Sequence, residues 1–167
     1  TSDSNRGALV AAGVLEPLIS LTRSSVKSEI DTRRFSMLAI ANLATSFANH
    51  DEFVSQGTIP MLVSFSNADD VYLKDYAAFA LVEISKNANM TEILADDGAL
   101  QPVLSLLKKK NYCGCVERQL LPALRTLSFL DRNKLAMCNS ESLKLIVGCS
   151  NKCNSDELRL ACCTIAN

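Results

Sequence analysis

Few residues in this 167-residue chain have the types and spacing that chemistry requires. The single histidine, His50, falls where the turn between the third helix of one repeat unit and the first helix of the next is expected. Such a histidine reads as a solvated residue rather than a general base. Seven cysteines include Cys113-Gly114-Cys115 and Cys149-x-x-x-Cys153. A structural zinc site needs four ligands in two close pairs, and these spacings with no nearby histidine match poorly. An odd cysteine count with adjacent Cys162 and Cys163 reads as free thiols in a reducing compartment, used as small buried hydrophobes. Those thiols also weigh against secretion and use of the acceptor triplet Asn89-Met90-Thr91. Asp69-Asp70 and Asp96-Asp97 read as N-terminal helix charge and caps. The six glycines form none of the phosphate-cradling or nucleophile-elbow patterns. No catalytic residue, metal or cofactor is expected.

Composition narrows the class further. The chain is 48% hydrophobic and 21% charged, with 5% aromatics and no tryptophan, so its core must be aliphatic. A net charge of -1 disfavours a generic nucleic-acid binder, whose affinity rests on surplus Lys and Arg facing phosphate. The basic run Lys108-Lys109-Lys110, with Arg118 and Arg125 nearby, suits an acidic partner or compensation of a helix dipole. No apolar run approaches the roughly 20 residues that cross a bilayer, and no signal peptide is visible at Thr1.

The elements follow from internal repetition. Gly13-Val14-Leu15-Glu16-Pro17-Leu18 recurs as Gly57-Thr58-Ile59-Pro60-Met61-Leu62 and Gly98-Ala99-Leu100-Gln101-Pro102-Val103, at 44 and 41 residues. Glu141–Ile146 is a degenerate fourth copy without Gly or Pro. A second family runs in step: Ala39–Leu43, Ala80–Ile84, Ala123–Leu127 and Thr164–Asn167. From the second family to the next copy of the first, the spacing is always 18 residues. The other half-period varies at 26, 23 and 25, which places tolerant loops at Arg23–Asp31 and Lys108–Cys115.

Within a unit the apolar period is helical. Phe53, Val54 and Gly57 close a short first helix, and Ile59, Leu62, Val63 and Phe65 form a second. Leu73, Ala77, Ala80, Leu81 and Ile84 mark a longer third. Gly supplies the sharp turn between the first two, and alanines let the third helix pack closely. No alternating strand pattern appears. The expected fold is all-α: a right-handed α-solenoid of three-helix units.

The pattern Asn-x-x-x-apolar-apolar-x-x-Gly-x-apolar-x-x-Leu, followed by Ala-Ala-x-Ala-Leu-x-x-Ile, resembles the armadillo repeat of β-catenin and importin-α. Asn49–Ser85 carries it best, with Tyr76–Ser85 tracking the third helix; Asn5–Gly13 and Ala39–Ala44 carry it again. The resemblance spans the chain as one domain of about four repeats, near residues 5–48, 49–88, 89–131 and 132–167. The apolar run Ala161-Cys162-Cys163 with Ile165 leads to the expectation that the array is truncated at both ends.

In armadillo proteins the third helices line a concave groove that holds a partner segment. The importin-like ladder needs Trp and Asn four residues apart. Here the Asn phase holds Asn42, Glu83, Thr126 and Asn167, and the Trp phase holds Leu38, Phe79, Pro122 and Cys163. With no Trp, an import receptor is disfavoured. One turn earlier, Arg34, Asp75, Arg118 and Arg159 form a mildly basic row, closer to the β-catenin mode of meeting acidic segments. Pro122 is expected to kink the third helix of its repeat or delay its start. The expected groove therefore comprises Arg34, Leu38, Asn42, Asp75, Phe79, Glu83, Arg118, Arg125 and Thr126.

These readings point to a non-enzymatic interaction scaffold in the cytoplasm, with nuclear access open. It takes a protein or peptide segment, not nucleic acid, membrane or a small-molecule substrate. Two alternatives stay open: a substrate-targeting module of a ubiquitin ligase or other multidomain enzyme, and a structural array in a ciliary, cytoskeletal or membrane-tethered assembly.

Overall fold

The glycine phase sets the fold. In the computed structural model, which describes residues 3–24, 29–107, 114–138 and 140–150, Gly13, Gly57 and Gly98 have φ of 80°, 62° and 76°. Each reverses the chain between two short helices in a left-handed conformation that a Cβ would strain. They join α1 (Asp3–Ala11) to α2 (Leu15–Thr22), α4 (His50–Ser55) to α5 (Thr58–Phe65), and α7 (Thr91–Asp96) to α8 (Leu100–Leu107). Longer third helices follow: α3 (Ile30–Leu43), α6 (Val71–Ser85) and α9 (Gly114–Leu127). A fourth repeat contributes α10 (Asp131–Met137) and α11 (Ser140–Ser150). No strand occurs among the described residues.

The chain divides into two compact units, Thr1–Ile84 and Ser85–Asn167. In the first, α2 lies along α3, α4 packs on α5, and α1 reaches α3 and the 3-10 turn Phe47–Asn49. Leu15, Met37, Ile40, Phe53, Ile59, Leu62, Leu73, Leu81 and Ile84 are shut off from solvent, and Ala77, Ala78 and Ala80 are buried on α6. Arg33 ties three helices together. Its Nε donates to the Thr22 carbonyl at the end of α2 (3.1 Å), and its guanidinium lies 5.9 Å from the centre of the Phe65 ring on α5. In the second unit α8 packs on α9 and α11, around Leu94, Val103, Leu120, Leu121, Leu124 and Leu127.

The Asn that opens the second and the fourth repeat motif closes the preceding third helix. Asn49 Nδ2 donates to the Leu43 carbonyl, and Asn133 Nδ2 to the Leu127 carbonyl, both at 2.9 Å. These are C-terminal carbonyls with no partner inside their own helix. His50 joins this arrangement and is fully buried, contrary to the solvated role expected from the sequence. Its Nε2 lies 2.8 Å from the Ala44 carbonyl, which can only accept, so Nε2 carries the proton. The helix end needs a second donor, and the imidazole supplies it from the interior.

Two further expectations are corrected. Asp70 does cap α6, accepting from Leu73 N at 3.0 Å. Asp96 and Asp97, however, sit at the C-terminal end of α7, where the dipole disfavours acids. Asp96 is offset there by Arg132 on α10, whose Nη1 lies 2.5 Å from Asp96 Oδ1, while Nη2 reaches Glu92 Oε2 at 3.0 Å. Asp97 has its pKa raised, first by burial and then by Asp96. Of the two outcomes expected for Pro122, a delayed start of α9 does not occur, since the helix runs from Gly114 through it to Leu127. The Lys108–Lys110 run, Cys113, Cys153, Cys162, Cys163, Arg159 and Asn167 lie outside the described residues.

Candidate partner-binding face

Third helices α3 and α6 of the first unit carry the expected groove positions, and their register brings unlike side chains together. Arg34 leaves α3 toward the start of α6. Its Nε is 3.1 Å from Asp70 Oδ2 and its Nη2 2.6 Å from the same oxygen, a forked grip on one carboxylate. Nη1 reaches Asp31 Oδ1 at 3.1 Å, and the guanidinium stacks 4.8 Å from the centre of the Tyr72 ring. The hydrogen bond to Asp70 raises the Arg34 pKa, and the same bond lowers that of Asp70. Two carboxylates thus offset one cation.

Around this clamp lies a cleft of about 220 Å³ lined by Asp31, Arg34, Phe35, Tyr72 and Tyr76. Phe35 is 69% exposed and Tyr72 55% exposed, far more than aromatic side chains on packed helices usually are. The Tyr72 and Tyr76 ring centres are 6.3 Å apart in a tilted pair. None of Phe35, Tyr72 and Tyr76 was among the expected site residues. The period could have found them: Asp31 and Tyr72, like Phe35 and Tyr76, are 41 residues apart and so share a phase.

The expected residues are distributed as follows. Arg34 sits in the cleft; Leu38, Asp75 and Phe79 are half-buried on α3 and α6. Glu83 is buried. Asn42 is exposed but lines a different cleft, with Leu9, Val14 and Leu18. In the second unit, the exposed Arg125 lies 5.7 Å from the centre of the Phe129 ring. Thr126 is buried, and its Oγ1 donates to the Pro122 carbonyl at 3.0 Å. The Arg118 side chain lies outside the described residues, as do those of Cys115 and Cys149. In the row expected to be basic, Arg34 is the one described cation, and it is already paired.

Among the described residues no three His, Cys, Asp or Glu side chains are placed to hold a metal ion. No described helix is long and apolar enough to cross a membrane. What the face offers is aromatic surface beside an ion cluster in which two carboxylates, Asp31 and Asp70, hold one guanidinium, Arg34, and leave a net charge of -1. Such a surface recognises side chains by stacking and apolar contact.

The same three-helix stack occurs in solved structures. An engineered protein matches with a TM-score of 0.72 at 23% identity, over 98% of this chain and 66% of that one. A designed armadillo repeat protein in complex with the peptide (KR)4 matches at 0.72 and 20% identity, over 99% and 69%. Computationally designed armadillo repeat proteins for modular peptide recognition match at 0.73 and 20%, over 99% and 68%. The chain thus spans about two thirds of the length of these structures. No protein-family model matches the chain, and no curated protein is significantly similar to it. The fold is that of armadillo-repeat solenoids, all-α and built from three-helix repeats.

Proposed function

We propose that the protein is a non-enzymatic interaction scaffold that holds an extended or helical segment of a partner protein along its third helices. The observation that carries this reading is the exposed pair Phe35 and Tyr72, flanking a preformed cleft between α3 and α6. Exposed aromatics on rigid helices are enriched at binding hot spots, because they offer large area at little ordering cost. Arg34, Leu38, Asn42, Asp75, Phe79 and Glu83 belong to the same helices, and Arg118, Arg125 and Thr126 extend the phase in the second unit. The partner anchors an apolar side chain against Phe35 and Tyr72, with Arg34 held by Asp31 and Asp70 rather than free for an acidic segment. The designed relatives that bind peptides on this fold support the reading. The seven cysteines favour a reducing compartment such as the cytoplasm.

The test is selection from a peptide-display library, followed by hydrogen-exchange mapping of the selected binder on the full chain. Protection on α3 and α6 is expected, with at least a tenfold affinity loss for Phe35→Ala or Tyr72→Ala and an unchanged melting temperature. Protection confined to α1, α4, α7 and α10 would overturn it.

A further inference from the structure

The first repeat exposes a face that its own successor buries. A cleft of about 420 Å³ is lined by Arg6, Leu9, Val14, Leu18, Ala39, Asn42 and Leu43. Shifted by one repeat, Leu9, Val14, Leu18, Ala39 and Leu43 become Phe53, Thr58, Leu62, Ala80 and Ile84. All five counterparts are completely shut off from solvent, in a repeat that has another repeat ahead of it. Leu9, by contrast, is 47% exposed, and Val14, Leu18 and Ala39 are only half-buried; of the five, Leu43 alone is already buried.

A second, independent observation concerns polar groups. Asn49 and His50 donate to the Leu43 and Ala44 carbonyls at the end of the preceding third helix. Asn5 and Arg6 occupy the same two phases, 44 residues earlier. Asn5 is exposed; the Arg6 side chain is 27% exposed, with Nη1 3.7 Å from Asp3 Oδ1, while its Nε is buried with no hydrogen-bond partner. A buried donor left unmade is costly, so this one calls for an acceptor. The acceptor its phase defines is a C-terminal helix carbonyl.

We propose that this face is a repeat–repeat interface, and that its occupant is a further armadillo-type repeat of the same polypeptide, packed ahead of α1. The occupant's third helix lays apolar side chains over Leu9, Val14 and Leu18, and its last carbonyls accept from Asn5 and Arg6. Supply within one polypeptide follows from the spacing: Leu43 and Asn49 are only six residues apart, so the closing Asn and the helix it closes are tied by a short turn. The proposal does not rest on the cleft at Phe35 and Tyr72, although it takes Asn42 of α3, a residue of the expected groove, into the repeat–repeat contact.

The experiment duplicates residues 5–48 in frame ahead of Asn5 of the whole chain, which places the copy's α3 before Asn5 as α3 stands before Asn49. The expected result is one cooperative transition with a melting temperature higher by about 5 °C or more. Leu9→Asp or Asn5→Ala at the new junction should remove most of that gain. In the unextended chain Asn5→Ala should change nothing, because the residue is exposed there. A duplicated repeat that melts separately, or a gain indifferent to Leu9→Asp, would overturn the proposal. So would sedimentation showing that the unextended chain dimerises and that Leu9→Asp dissociates it, since the occupant would then be a second copy.

Discussion

Gly57 shows how one residue type becomes obligatory. A Cβ added there meets nothing within 4 Å, so space is not the constraint. The constraint is φ of +62°, at the start of α5. We expect Gly57→Ala to destabilise by about 1–2 kcal/mol and Gly57→Asn by less, because Asn tolerates the left-handed region. Denaturant titration of the three proteins checks the order, and equal losses would show that crowding, not φ, decides. His50 makes a pH-dependent contribution. Burial lowers its pKa below the ordinary value of 6.5, outweighing the raising effects of the Ala44 hydrogen bond, Asp51 and Glu83. The folded state therefore resists protonation while the unfolded chain accepts it. The stability supplied by neutral His50 is complete above about pH 6.5 and declines as pH falls through the unfolded and then the folded pKa. A His50→Gln variant should flatten the melting-temperature profile between pH 7 and 5; an unchanged slope would assign the dependence to carboxylates.

At the scale of the element, Asp70 does two things. It caps α6 through Leu73 N, and it receives the Arg34 fork from α3. Asp70→Ala should cost about 1 kcal/mol from the lost cap alone. Asp70→Ser keeps a capping oxygen and loses the ion pair, so it should recover most of the stability if the cap dominates. That is the expected outcome, since partly exposed ion pairs contribute little net energy. The comparison is made by thermal melts at low and high salt. A strong salt dependence in the wild type that disappears in Asp70→Ser would give the greater weight to the Arg34 pair.

At the scale of the molecule, each compact unit has its own aliphatic core; the first holds two Gly-linked helix pairs, at Gly13 and Gly57, and the second holds one, at Gly98, among the described residues. Repeat proteins gain stability from neighbouring repeats, so damage should spread locally before it spreads globally. Phe53 is completely buried in the first unit. Phe53→Ala should cost about 3–5 kcal/mol and lower amide protection in α1–α6 more than in α10 and α11. Hydrogen exchange followed by mass spectrometry reads this directly. Uniform loss across both units would show a single all-or-none transition instead.

Period, glycine phase and alanine phase were legible without coordinates, because each expresses a local requirement: 3.6 residues per turn, one left-handed turn per repeat, and small side chains where helices approach. The Asn of the motif was legible as a position, but its task of closing the preceding helix was not. Tertiary structure alone decided which polar groups meet. Arg34 looked like a groove cation until Asp70, 36 residues away, proved to hold it. His50 looked solvated until α3 proved to end on it. Asp96 and Asp97 were misplaced because one residue of helix end determines whether an acid faces a favourable or unfavourable dipole. Exposure and pairing depend on what packs from elsewhere in the chain, and a one-dimensional period does not contain that.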